Sequence, residues 1–308
     1  MTMTEEIVDL GDVRLCVETF GRPGDPTILL ISGAAESMDG WDRAWCEGLA
    51  AAGRRVVRYD HRDTGRSTSS PAGHPSYPGS ALTGDVLRLL DALDVDRAHL
   101  VGLSMGGGIA QEVAARHPDR VASLTLVATS PAGRRQDESP LPPPEPRVAD
   151  TFGNPPPEPD WTDREAVVDH LVESYRHYSG SLGFDVPSAR RLVEHVVART
   201  VDIEAATKNH WLVAGDDDDE GFAMTDIVAP TLVIHGTTDP MFPLAHGEAL
   251  AREIGGSTLL RVPGMGHERP PVAVRAQATE AILRHTRPRP LDDHHGGEHQ
   301  QPAQQLPG

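Results

Sequence analysis

Gly102-Leu103-Ser104-Met105-Gly106 sets a serine hydroxyl between two glycines, where the apolar run Ala98–Leu103 gives way to a helical pattern. A strand, a sharp turn and a helix in that order are what a Gly-x-Ser-x-Gly nucleophile requires, because the turn leaves the hydroxyl exposed. Glycine on either side keeps side chains from colliding across the turn. The run Gly106-Gly107-Gly108 lowers helix propensity by about 1 kcal/mol per residue relative to alanine, which points to close backbone approach at this spot. The competing reading is an ordinary β–α turn.

A serine hydroxyl is a poor nucleophile until a base takes its proton. The base, and an acid to orient it, are expected downstream in the order serine, aspartate, histidine. Asp239 follows the apolar run Thr231–His235, and His267 follows Thr258–Val262 within Pro263-Gly264-Met265-Gly266-His267. Both fall at the carboxyl ends of strands, where an open α/β sheet places its ligands. His267 is the expected general base and acid, and Asp239 the residue that fixes its tautomer. The oxyanion formed on attack needs two N–H donors. The backbone of Met105, at a helix start, is one candidate; that of Ala34, in Ser32-Gly33-Ala34-Ala35, is the other.

Other side chains compete for these roles. His235 lies within a strand and reads as a packed residue. Asp60 and Asp63 precede Ser104 and break the expected order. Trp41, together with Asn209, His210 and Trp211, forms a candidate substrate pocket, with core packing the rival reading for the tryptophan. The acidic run Asp216–Asp219 with Glu220 lacks the spacing of a calcium loop and reads as a solvated turn. His294, His295 and His299 lie in a polar tail and are not read as a metal site. No metal or cofactor is expected.

Positioning these groups calls for a particular scaffold. Candidate strands are Glu6–Leu10, Arg14–Phe20, Thr27–Ser32, Arg54–Tyr59, Ala98–Leu103, Ser123–Ala128, Thr231–His235 and Thr258–Val262. The later six are largely continuous apolar runs, as strands covered on both faces should be. Helical patterns at Ser80–Leu93, Gly108–Arg116, Leu244–Ile254 and Val272–His285 alternate with them. That alternation predicts an α/β fold with a mostly parallel central sheet flanked by helices, and the first two strands read as an antiparallel hairpin at one edge. The core is expected over 1–132 and 226–287. Between them, 133–225 reads as a helical lid inserted after the sixth strand, with helices near Arg164–Tyr178, Ser188–Thr200 and Ile203–Val213. Its proline-rich entry, Gly133–Pro159, reads as a mobile connector, and 288–308 as a disordered tail.

The chain of 308 residues carries 28 basic against 46 acidic side chains, a net charge of −18 that argues against a nucleic-acid partner. No apolar stretch approaches the roughly 18 residues of a membrane span, and no targeting segment is visible. A cytoplasmic protein acting on a small-molecule ester, without a membrane partner, is the expectation; oligomeric state is left open. Cys16 and Cys46 are too few for a disulfide framework.

Several segments taken together resemble the aclacinomycin methylesterase family of bacterial α/β-hydrolases: Tyr59-Asp60-His61-Arg62-Asp63-Thr64-Gly65-Arg66-Ser67-Thr68, Val95 through Gly106, Pro230 through Ile234 with Asp239-Pro240, and Pro263 through His267. The resemblance spans about 1–132 and 226–287. It implies an α/β-hydrolase fold, a cofactor-independent serine esterase acting through an acyl-enzyme, and a catalytic triad at Ser104, Asp239 and His267. Family members remove a methyl ester from an anthracycline polyketide. The inserted segment departs from the family pattern, and Gly33-Ala34-Ala35 differs from its Gly-Gly-Asn style of loop. A haloperoxidase or perhydrolase, a C–C bond hydrolase and a proline-type peptidase share this triad and stay open as alternatives. A non-catalytic small-molecule receptor on the same fold is a remoter one.

Overall fold

The computed structural model describes residues 5–213 and 221–287. Eight strands form one sheet: β1 (Glu6–Asp9), β2 (Arg14–Phe20), β3 (Thr27–Ile31), β4 (Arg55–Tyr59), β5 (Ala98–Leu103), β6 (Val121–Val127), β7 (Thr231–Gly236) and β8 (Thr258–Val262). Their order across the sheet is β1-β2-β4-β3-β5-β6-β7-β8. β1 and β2 pair antiparallel, β2 runs antiparallel to β4, and every later pairing is parallel. This is the α/β-hydrolase arrangement.

Alternate residues of the buried strands feed two separate cores, as the two-residue period of a strand demands. Leu29, Val57, Leu100, Leu126 and Val233 face one layer, built on α2 (Ser80–Ala92), α3 (Met105–Arg116) and α8 (Ala245–Glu253). Ile28, Leu30, Val56, Val101, Val127 and Ile234 face the other, built on α1 (Arg43–Ala51) and α9 (Val272–His285). Helix α1 is absent from the sequence-based assignment, although Asp42 caps it by accepting from the Trp45 amide. Trp41 and Trp45 lie in this second core 5.7 Å apart, and Trp41 is fully buried. Trp41 is therefore a packing residue and not a pocket wall.

Among the described residues, four α-helices are inserted between β6 and β7: α4 (Pro146–Gly153), α5 (Arg164–Tyr178), α6 (Val186–Arg199) and α7 (Ile203–Val213). Within the proline-rich entry 133–159, expected not to be regular throughout, α4 is one regular stretch. Pro146 stands in its first turn, where the missing N–H would have had no partner and the fixed φ suits a helix. Asp163 and Asp185 cap α5 and α6, which pack on each other through Val168, Val172 and Val193. Cys16 and Cys46 are both free and buried. Among the described residues no helix is long and apolar enough to cross a membrane. The Asp216–Asp219 run with Glu220, the tail histidines His294, His295 and His299, and the whole of 288–308 lie outside the described residues.

Candidate active site

Ser104 follows β5 and caps α3 with φ 51° and ψ −118°, a conformation that side-chain-bearing residues rarely adopt. The turn is tight enough to exclude side chains around it. A Cβ on Gly102 would fall on the Gly106 carbonyl, and one on Gly106 would strike the carbonyls of Ile31 and Ser32. Of the three glycines that read as a propensity defect, Gly106 is thus required by backbone crowding against the end of β3, Gly107 is hemmed in by the Thr129 side chain, and Gly108 makes only ordinary contact.

The sheet brings three distant side chains together. Ser104 Oγ lies 2.9 Å from His267 Nε2, and His267 Nδ1 lies 3.0 Å from Asp239 Oδ2. A carboxylate only accepts, so Nδ1 carries the hydrogen and Nε2 is left to accept the serine proton. Burial works to raise the Asp239 carboxyl, yet the adjacent His267 and His235 and the Phe242 amide outweigh it and hold the group below its ordinary value. The other carboxylate oxygen, Oδ1, accepts from the amides of Met241 at 2.9 Å and Phe242 at 2.8 Å. The His267 ring sits against Phe242 edge-on at 5.2 Å and near Tyr178 of α5 at 5.9 Å. Its amide donates to the Tyr178 carbonyl at 2.8 Å, which ties the histidine loop to the inserted helices.

Two amides are expected near Ser104. Met105 N–H opens α3, where the helix dipole favours negative charge. Ala34 lies in a loop so close that a Cβ on Gly33 would come within 3.5 Å of Ser104 Cβ. Among the described residues neither amide has a hydrogen-bond partner.

The rival residues serve elsewhere. His235 is buried and donates to the Phe242 carbonyl at 2.7 Å, bracing the Asp239 loop. Asp60 is buried against Arg199 at 2.6 Å, and Asp63 accepts from Tyr77 and Asn209 at 2.6 and 3.0 Å. Of the expected pocket residues, Asn209 and His210 have no surface open to a ligand. Asn209 bonds to Asp63, to the Gly73 amide and to the Pro71 carbonyl, while His210 bonds to Ala35 and Arg62. Only Trp211 reaches the surface, 44% exposed and edge-on to Phe152 of α4 at 5.6 Å. Residues not singled out from the sequence also hold the site. Glu36 accepts from the Gly33 amide at 3.1 Å and forms a two-pronged ion pair with Arg269, joining the Ala34 loop to the histidine loop. Thr129 caps the Ser104 carbonyl at 2.8 Å.

Two buried histidines, His61 behind the Ala34 loop and His99 near the start of β5, give the fold an acid limit. Burial, and then the neighbouring His210, push His61 down to about 3, and burial pushes His99 down to about 4. Their ordinary value is near 6.5. Between those values the unfolded chain binds protons that the folded chain refuses, so stability rises with pH and falls on acidification. Each such ring removes roughly 1.4 kcal/mol per pH unit below 6.5. Thermal unfolding followed from pH 7.5 to 5 should show a midpoint that falls increasingly steeply as the pH drops through about 6.5; a flat midpoint between about 6 and 5 would contradict this placement of the rings.

An α/β-hydrolase-fold family model matches residues 26–167, and a TAP-like protein model matches 200–289. The rhodomycin D methylesterase of Streptomyces peucetius is 32% identical over 302 residues, covering 92% of this chain and 99% of the relative. The chain belongs to the α/β-hydrolase family. A second rhodomycin D methylesterase, from Streptomyces sp. strain C5, is 33% identical over 300 residues, covering 92% of this chain and 99% of its own length. Among solved structures, a hydrolase from Pseudomonas aeruginosa PA01 shares 26% identity with a TM-score of 0.68, covering 92% of this chain and 99% of that one. Within the α/β-hydrolases, this chain is a carboxylic ester hydrolase.

Proposed function

We propose that this α/β-hydrolase cleaves a methyl ester of a polyketide-like small molecule through an acyl-enzyme on Ser104. The observation that carries the reading is the unbroken relay from Ser104 Oγ through His267 to Asp239, beside two unpartnered amides. In this mechanism His267 Nε2 takes the Ser104 proton as Oγ attacks the ester carbonyl. The Ala34 and Met105 amides hold the resulting oxyanion. His267 then protonates the departing alcohol, and in the second half it activates water against the acyl-enzyme. Asp239 keeps the ring in the productive tautomer and balances its positive charge.

The substrate class is drawn from the two Streptomyces methylesterases. The half-exposed Phe152 and Trp211 offer aromatic surface on the inserted helices for a large planar acyl group. Residues 133–225 then act as a lid over a core of 1–132 and 226–287. Two buried free thiols suit a reducing cytoplasm, which is where this reading places the enzyme.

A hydrolysis screen varying acyl and alcohol size separately tests this reading. Methyl esters of fused-ring acids should give higher kcat/KM than methyl acetate or long-chain alcohol esters. The substrate assignment is overturned if short acyl groups are preferred, or if C–C cleavage of a dienoate outpaces every ester.

A further inference from the structure

We infer that His210 is a positioning residue for the oxyanion hole, which holds the Ala35 amide so that the neighbouring Ala34 amide is aimed at Ser104. This rests on the triad reading above, and goes beyond it by linking an inserted helix to the chemistry.

The hydrogen bonds fix the ring's state. The Ala35 amide donates to His210 Nδ1 at 3.0 Å, so Nδ1 is bare. Nε2 therefore carries the hydrogen and donates to the Arg62 carbonyl at 2.8 Å. Only the neutral ring can make both bonds, and burial favours that form by lowering its basicity.

The loop needs such a brace. Ala35 has φ 62°, in the left-handed region that a residue with a Cβ avoids. Along the segment, polar groups are tied down on either side of Ala34. The Ser32 carbonyl accepts from His61 Nε2 at 3.1 Å, Gly33 N–H donates to Glu36, and Ala35 N–H donates to His210. Ala34 is the amide left over, beside the nucleophile. His61 and His210 also meet edge to face at 5.7 Å, so the two braces support each other. Helix α7 is itself pinned next to His210, where Asn209 bonds to Asp63, Gly73 and Pro71. The anchor is fixed to the core.

Two substitutions separate aiming from mere packing. In His210→Asn the amide oxygen stands near the place of Nδ1 and can accept from Ala35, but the bond to Arg62 is lost. In His210→Gln the longer amide reaches toward Arg62 and leaves Ala35 unheld. Full-length wild type and both variants are assayed with p-nitrophenyl acetate for kcat and KM, with phenylboronic acid as a tetrahedral mimic, and by thermal unfolding. His210→Gln should lose roughly 10- to 100-fold in kcat, since small misplacements of catalytic groups cost that much, with KM within about threefold. Phenylboronic acid should weaken by the same factor as kcat, while His210→Asn stays within about threefold of wild type. Equal behaviour of the two variants, a loss confined to KM, or undiminished kcat in His210→Gln would each overturn the assignment. If His210→Gln does not fold, His210→Asn decides alone, and a loss of kcat in it with a normal melt counts against the proposal. A wild-type protein with no esterase activity would instead defeat the triad reading.

Discussion

Ser104→Ala should abolish ester turnover while leaving the fold intact. With no Oγ, His267 has no proton to withdraw and no acyl-enzyme can form. The residual rate then comes only from binding and the oxyanion amides, so a loss of roughly 10³-fold or more in kcat is expected. Far-ultraviolet circular dichroism and the unfolding midpoint should stay near those of the parent, because Ser104 Oγ bonds to the catalytic ring and not to the core. A companion variant sharpens the test. Ser104 sits at φ 51°, a strain of the order of 1–3 kcal/mol for a residue with a Cβ. Ser104→Gly relieves it, against roughly 0.5–1 kcal/mol of added chain entropy. It should be equally inactive and at least as stable as wild type, measured by chemical denaturation. Undiminished p-nitrophenyl acetate hydrolysis in Ser104→Ala would end the assignment of the nucleophile.

The parts of this site that could be read from the sequence are those written in local steric rules. A serine on a strained strand-to-helix turn demands glycine at 102 and 106, and both are there for the backbone to pass. The apolar runs of β3, β5 and β7 announce strands covered on both faces. Asp239 and His267 were legible because chain order and strand ends narrow the choice. The supporting contacts leave no such trace. Glu36 meets Arg269 across 233 positions, and Ala35 meets His210 across 175; a hydrogen bond between distant residues imposes no period or composition on either. For the same reason Asn209 and His210 read from the sequence as substrate walls, when their polar atoms are spent inside the protein. Helix α4 was hidden by prolines that suggest irregular chain, yet one of them begins it.

The sharpest test of the relay is Asp239→Asn. The two backbone donors on Oδ1, from Met241 and Phe242, dictate how the new amide must lie. An amide nitrogen cannot accept from them, so the side-chain oxygen takes the Oδ1 place and the NH₂ group faces His267 Nδ1. That nitrogen must then be bare to accept, and the hydrogen moves to Nε2, the atom that has to receive the Ser104 proton. Geometry survives but the tautomer is wrong. The same change in the serine-protease triad lowers kcat by about 10⁴-fold, and a loss of that order is expected here, mostly in kcat. A bare Nε2 then requires the disfavoured tautomer, which leaves the new amide's N–H facing an N–H of the ring. Asp239→Ala separates the two effects, since it removes the acceptor without imposing the wrong tautomer, and it should retain more activity near neutral pH than Asp239→Asn. If Asp239→Asn kept the wild-type rate, another group would have to be orienting His267. Buried His235, whose Nε2 stands 3.6 Å from Asp239 Oδ2, is bound to Phe242 and could not take that place.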